Sequence, residues 1–291
     1  MELLLEHLYS KHNLNAMTDE HPLLVTEVPH NPISHRETLA EIFFETFRSP
    51  AMFLAPPAVL SLYASGRTSG VVLDAGHGVS HCVPVYEGYA LSHSIVRSDL
   101  GGGDVDDALK LLLRRGGTAL ETTAELDFVR CMKEEVCYVR NGGGGDSDAK
   151  SARAPYQLPD GHVIHISDER HEATEVLFDT SRIGSEAPPV HEVLMTSINK
   201  SDLDLRSTLF GNIVLSGGST KTPGFGDRLL YEVRKLAPER TRIRIVAPPE
   251  RECSAWVGGS ILASLATFKN MWITRAEWEE GGVGVLFRGS L

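Results

Sequence analysis

Short, fully apolar runs alternate along the chain with longer amphipathic ones, and glycine-rich turns separate them. Compact runs of aliphatic residues bounded by turn signals read as buried strands; apolar residues at i, i+3 and i+4 read as one face of a helix. On that basis LLVTEV (from Leu23), Val71 to Leu73, Val79 to Tyr86, Ile213 to Leu215 and Arg242 to Val246 are expected to be strands. Met1 to Ser10 is expected to be a helix with Leu4, Leu5 and Leu8 on one face. A second helix should be opened by a capping box, Ser34 with Glu37, and end at Pro50, with Leu39, Ile42, Phe43 and Phe47 inward. Pro56-Pro57 should open a third, running from Ala58 to about Ala64 and closed by Gly66.

Further along, Asp104 is expected to cap a helix that buries Val105, Ala108, Leu109 and Leu112. Thr123 opens the next, burying Leu126, Val129, Val136 and Cys137. Asn141 to Arg153 is polar and glycine-rich, the composition of a mobile loop. YQLPDGHVIHI reads as a hairpin turning at Pro159-Asp160-Gly161. Helices are expected around His171–Phe178, Val190–Lys200, Ser201–Phe210 and Phe225–Leu236, then along SAWVGGSILASLATF, and finally along WITRAEWEE, which carries Trp272 and Trp278. Strands and helices in alternation argue an α/β fold.

Composition narrows this picture a little. At 291 residues and 42% apolar content the chain can bury a large core. Lys+Arg 28 against Asp+Glu 39 leaves a net charge of −11, which argues against nucleic acid or an anionic membrane as an electrostatic partner. No apolar run is long enough to cross a bilayer, and MELLLEHLYSKH lacks the basic start and cleavage site of a signal peptide. Cys82, Cys131, Cys137 and Cys253 form no C-x-x-C, so neither a zinc site nor a redox pair is indicated.

The candidate chemistry sits between Ser65 and Asp104. The strand Val71–Leu73 runs into Asp74, then into the turn Ala75-Gly76-His77-Gly78, then into the returning strand. Glycine keeps side chains off a ligand, and successive amides in such a turn form an anion-binding concavity. A carboxylate at the strand end can hold the water shell of Mg2+. A bare D-x-G-x-G is also what an ordinary strained hairpin looks like. A second strand, Ile213–Leu215, ends in Ser216-Gly217-Gly218-Ser219 ahead of the helix from Phe225, again offering amides to an anion.

LYASGRTSGVVLDAGHGVSHCVPVYEGYAL, HEVLMTSINKSDLDLRSTLFGNIVLSGGST, GFGDRLLYEVRKLAP and APPERECSAWVGGSILASLATFKNMW together resemble the actin family over nearly the whole chain. SDLDLR, SGGST, GFGDRLL and TFKNMW are most similar to its centractin branch, the actin-related proteins of the dynactin filament. The resemblance implies an actin-like ATPase fold, two halves around a cleft for ATP or ADP with Mg2+. It implies an incomplete subdomain 1 at residues 1–64 and 254–291, subdomain 3 at 65–100 and 186–253, and subdomain 4 at 101–185 with an insert at 141–153. By resemblance Asp74 stands on the metal side, acting through water, and His81 near the attacking water. Gly76, Gly78, Gly102, Lys133, Glu134, Gly217, Gly218 and Ser219 match nucleotide-contacting positions. Other actin-like subunits, dynactin components and, indirectly, dynein are the implied partners, in the cytoplasm and cytoskeleton.

Several residues depart from the family pattern. Pro57 stands where the family has its water-positioning glutamine, and His77 replaces the second acid of the hairpin. Thr222 and Glu252 replace an aromatic and a lysine that contact adenine. A prolyl ring cannot orient an attacking water, so hydrolysis is expected to be inefficient and nucleotide a structural ligand. The family's first phosphate hairpin has no counterpart here, so a missing N-terminal part and an unpaired, aggregation-prone sheet edge are expected. Two other roles fit the family resemblance: a divergent actin that hydrolyses ATP in dynamic filaments, and a nuclear actin-related subunit of a chromatin-remodelling complex.

Overall fold

The computed structural model describes residues 1–142 and 153–287. The expected mobile loop therefore lies mostly outside the described residues. The first part of the chain forms α1 (Glu2–Tyr9), β1 (Leu23–Thr26), α2 (Ile33–Glu41), β2 (Ala51–Ala55) and α3 (Pro57–Ala64). The strands β3 (Gly70–Ala75), β4 (Ser80–Tyr86), β5 (Tyr89–Ala90) and β6 (Val96–Ser98) follow, then α4 (Gly102–Arg115) and α5 (Thr123–Val136). A hairpin of β7 (Ala154–Gln157) and β8 (Val163–Ile166) leads to α6 (Glu169–Glu172), α7 (Val190–Lys200) and α8 (Leu203–Gly211). The last part comprises β9 (Ile213–Ser216), α9 (Phe225–Leu236), β10 (Ile245–Val246), α10 (Ser254–Ser264), β11 (Ile273–Thr274) and α11 (Arg275–Gly281).

The main sheet runs β10-β9-β3-β4-β5, with β6 also paired to β4. β3 is antiparallel to β4 and parallel to β9. Its central strands are apolar on both faces over Val71–Leu73, Cys82–Val85 and Ile213–Leu215 because both faces are covered, with polar residues only at the strand ends. Side chains alternate between faces. Val71, Leu73, Cys82, Ile213 and Leu215 point into a large core shared with α4, α5, α7 and α9. Val72, Val83, Val85 and Val214 point the other way, onto Ala58, Val59 and Leu62 of α3. The tight β4–β5 turn puts Glu87 at φ 51° and Gly88 at φ 90°, the left-handed pair that a two-residue hairpin requires.

A smaller sheet, β1-β2-β11, lies on the far side of α3. β1 is parallel to β2, and all five residues of β2 are buried. Phe44 stacks on Trp278 of α11 at 5.4 Å, while Phe268 sits edge-on to both Phe53 and Trp272. α10 crosses α3 so closely that a Cβ on Gly258 would lie 1.8 Å from the Leu60 carbonyl oxygen. The G-G pair in SAWVGGSILAS is thus explained by backbone contact between helices.

Helix ends differ from expectation where backbone geometry overrides side-chain signals. Ser34 does not cap α2. Pro32, at φ −55° and ψ 138°, turns the chain into the helix, and its carbonyl accepts from His35 and Arg36, leaving Ser34 inside the first turn. After α2 the helix widens, the Phe47 amide donating to the Ile42 carbonyl, so that Phe43 and Phe44 are both buried and the turn ends before Pro50. Asp104 sits at the third position of α4 and accepts from the Gly101 amide, because the chain turns at the glycines and not after them. α5 begins at Thr123 as expected, capped by Thr122 with Glu125 closing the box. That register leaves Leu126 exposed and buries Met132. Leu113 is buried where Leu112 was expected; Leu112 packs only partly. Leu4 and Leu8 are exposed, and only Leu5 of that helix packs on the core. Trp272 lies ahead of β11, outside any helix. Arg242 to Arg244 lie outside β10, which pairs with β9 only through Ile245 and Val246.

Cys82 and Cys137 are buried, which pushes both thiols up to about 12, whereas Cys131 and Cys253 are exposed. Among the described residues no helix is long and apolar enough to cross a membrane.

The α3–α10 contact makes a paired prediction. Gly258→Ala drives a methyl into the Leu60 carbonyl and should lower stability by about 1–3 kcal/mol, the scale of overpacking a close contact. Gly259→Ala meets only side chains, at 3.4 Å and beyond, and should stay near wild type. Urea midpoints of the two variants check this.

Candidate nucleotide site

Parallel pairing of β3 with β9 aligns Asp74 with Ser216 at the ends of the two strands. The two glycine turns therefore emerge side by side, although they are far apart in sequence. They touch. Gly217 is at φ 86°, and a Cβ there would lie 2.3 Å from the Ala75 carbonyl oxygen and 2.6 Å from Asp74 Oδ1. The Ser219 hydroxyl donates to the Gly76 carbonyl at 2.8 Å. Arg251 grips the second turn, donating to Thr220 Oγ1 and the Thr220 carbonyl while its own carbonyl accepts from the Gly217 amide.

The first turn is held from the other side by α4. Gly102 and Gly103 amides donate to the carbonyls of Gly76 and His77 at 2.9 and 2.7 Å. A Cβ on Gly101 would meet His77 O at 2.3 Å, which is why this crossing needs glycine. Those helix-start amides are therefore spent on protein. The amides of His77 and Gly78, by contrast, donate to no carbonyl or side chain among the described residues. Gly218 and Ser219 open a short helical turn, so their amides have no carbonyl within it either. Polyphosphate oxygens are the acceptors such a set of amides fits.

A cavity of about 520 Å3 lies over the two turns, within the usual range for small-molecule sites. Gly76, His77, Gly102, Lys133, Glu134, Gly218 and Ser219 line it, with Arg130, Lys221, Thr222 and Glu252. Each cation in its wall has a carboxylate beside it: Arg130 with Glu134 at 3.4 Å, Lys133 with Asp106 at 2.9 Å and Lys221 with Glu252 at 2.8 Å. His77 Nδ1 is 3.7 Å from the same Asp106.

Of the residues expected at a site, Gly76, Gly102, Lys133, Glu134, Gly218 and Ser219 come together around this cavity. Asp74, Gly78, His81 and Gly217 are not in its wall; Asp74 and His81 face each other across the β3–β4 pair behind the turn. Of the substituted positions His77, Thr222 and Glu252 line the cavity, whereas Pro57 does not. Arg130, Lys221 and Asp106 were missed from the sequence. Arg130 was findable, since i, i+3 and i+4 place it on the α5 face that carries Lys133 and Glu134. Asp106 had no local signal, because its partners come from another helix and another turn.

The strand pair is protected from water. Burial raises the Asp74 carboxyl above its ordinary range, against the hydrogen bond to Ser216 that lowers it. The Ser216 hydroxyl also lies 3.1 Å from that of Ser61. Burial, then the charge of Arg97, pushes His81 below its ordinary value, and its Nε2 has no partner among the described residues. Mg2+ is usually held by one or two carboxylates plus ligand phosphates, and Asp74 is the carboxylate the first turn offers. When bound, Mg2+ would neutralise phosphate charge.

Fold and cavity together define an α/β protein with a polar ligand cleft floored by two glycine turns. Residues 1–289 match the protein family described as Actin. Over 287 residues the sequence is 51% identical to the "Actin-like protein" of Neurospora crassa, covering 96% of this chain and 75% of that protein. The chain belongs to the actin family, and its fold is the actin-like ATPase fold.

The buried carboxyl gives a pH prediction. A folded-state value above the unfolded one means that the folded protein holds this proton more tightly. The resulting stabilisation is complete at acid pH and is lost as pH rises through the raised value. Asp74→Asn, which cannot ionise, should therefore be more stable than wild type at pH 7, with the gap closing towards pH 4. Melting temperatures across that range check the sign.

Proposed function

We propose that the cavity binds an adenine nucleotide with Mg2+ and that the chain is a cytoskeletal actin-related protein. The observation that carries this reading is the set of free amides, from His77, Gly78, Gly218 and Ser219, on two turns that meet at one cavity. Phosphates occupy those amides. Lys133 and Glu134 face the ribose and base, with Gly102 close by. Asp74 reaches the metal through water. His81, buried and largely neutral, stands behind the turn near the attacking water. Pro57 supplies no amide to orient that water, so the nucleotide is a ligand that closes the cleft and is turned over slowly at most.

Within the family we read the chain as centractin-like, from SDLDLR, SGGST, GFGDRLL and TFKNMW. Its role is then structural: it joins other actin-like subunits in the dynactin filament and supports dynein-driven transport on microtubules. The division into subdomain 1 (1–64 and 254–291), subdomain 3 (65–100 and 186–253) and subdomain 4 (101–185) belongs to the same reading. A separate hydrophobic cluster around β2 and α11 supports setting subdomain 1 apart, while the residues of the other two subdomains share one core.

Gly218 offers a clean test, because a Cβ there meets nothing within 4 Å and its φ is not left-handed. Gly218→Leu should leave the melting temperature unchanged while a side chain intrudes on the ligand. Titration calorimetry with Mg-ADP should show saturable binding to wild type and a loss of at least about tenfold in the variant. Equal affinity for both would remove the nucleotide from this cavity. Recovery of the native protein away from dynein-containing fractions would remove the centractin assignment.

A further inference from the structure

We propose that Asp106 is a positioning residue that holds Lys133 at the cavity wall and competes with a bound ligand for it. Its contest with a nucleotide rests on the reading above; its hold on Lys133 does not. Asp106 lies one turn into α4, and it is not itself in the cavity wall. Lys133 on α5 is. The Lys133 ammonium donates to Asp106 Oδ2 at 3.0 Å, lies 2.9 Å from Oδ1, and donates to the Gly102 carbonyl at 3.0 Å. The approach to Gly102 depends on glycine, since a Cβ there would sit 3.2 Å from Lys133 Nζ.

Burial separates this pair from the other two. The Lys133 and Asp106 side chains are 12% and 16% exposed, whereas those of Arg130, Glu134, Lys221 and Glu252 are 41–63% exposed. Exposed pairs are screened and exchange readily; a sheltered, hydrogen-bonded pair does not. Lys133 is thus the one of these three cations that is tied down on two sides by protein acceptors. A ligand oxygen that recruits the ammonium must take it from Asp106. His77 Nδ1, 3.7 Å from Asp106 Oδ2, is another side-chain nitrogen to which the carboxylate can turn when Lys133 leaves. The same carboxylate therefore links the tip of the first glycine turn to the α5 wall.

The test uses the full chain and Asp106→Asn, with Asp106→Glu as the conservative control. The first readout is acylation of Lys133 by a limiting amine-reactive ester, measured by peptide mass spectrometry against exposed Lys200. The proposal expects labelling of Lys133 to rise several-fold in the Asn variant and to return towards wild type in the Glu variant. The second readout is Mg-ADP affinity, expected to tighten about tenfold in the Asn variant, the scale of one charge-assisted hydrogen bond removed from the competition. Unchanged Lys133 labelling overturns the proposal. So does raised labelling with ADP affinity equal to or weaker than wild type. If neither wild type nor variant binds ADP but labelling rises, the restraint by Asp106 stands and the nucleotide reading falls.

Discussion

The parallel register of β3 on β9 is the constraint on which the site depends. Val71, Leu73, Ile213 and Leu215 share one core face, Val72 and Val214 the other, and no slip by one residue is compatible with both. Because that register is locked by packing on two faces, Asp74 and Ser216 end level. The glycine turns that follow are then forced into contact. Gly217 against Ala75 and Ser219 on the Gly76 carbonyl are consequences of apolar packing deeper in the sheet. A cavity assembled this way is preorganised by the core and costs little further ordering when a ligand enters.

The same packing decides which amides are free. At the start of α4 the glycines bring two helix amides onto the carbonyls of Gly76 and His77, so the helix N-terminus serves the turn and not a ligand. The amides left over belong to the tips of the two turns. Charge in the surrounding wall is balanced within the protein by Asp106, Glu134 and Glu252, so the cavity is not a field that collects anions at random. Selectivity must come from amide geometry and from the exchange of paired side chains.

Much of the local architecture was legible in the sequence. α3, α7 and α9, the β3–β4 hairpin and the Pro-Asp-Gly turn all follow from periodicity and turn chemistry, because each is decided by residues within one or two turns of one another. Errors gathered at helix ends. Ser34 and Glu37 have the composition of a capping box, but Pro32 starts the helix first. Asp104 has the composition of a cap for α4, but Gly101 holds the cap position and Asp104 falls inside the first turn. These are contests between neighbouring residues for one backbone role, and composition alone does not rank them.

What the sequence determined by itself was the α/β alternation and the two glycine turns, whose signals are strong because glycine and apolar periodicity act within a few residues; Gly102, Lys133 and Glu134 were candidates only through the resemblance to the actin family. What only the tertiary structure decided was which of these share a cavity, that Asp74 and His81 lie behind it, and that Asp106 pairs with Lys133. Those facts depend on elements brought together from distant parts of the chain by burial of two sheet faces. Burial is a property of the assembled core, and no local pattern encodes which distant carboxylate will end beside which ammonium.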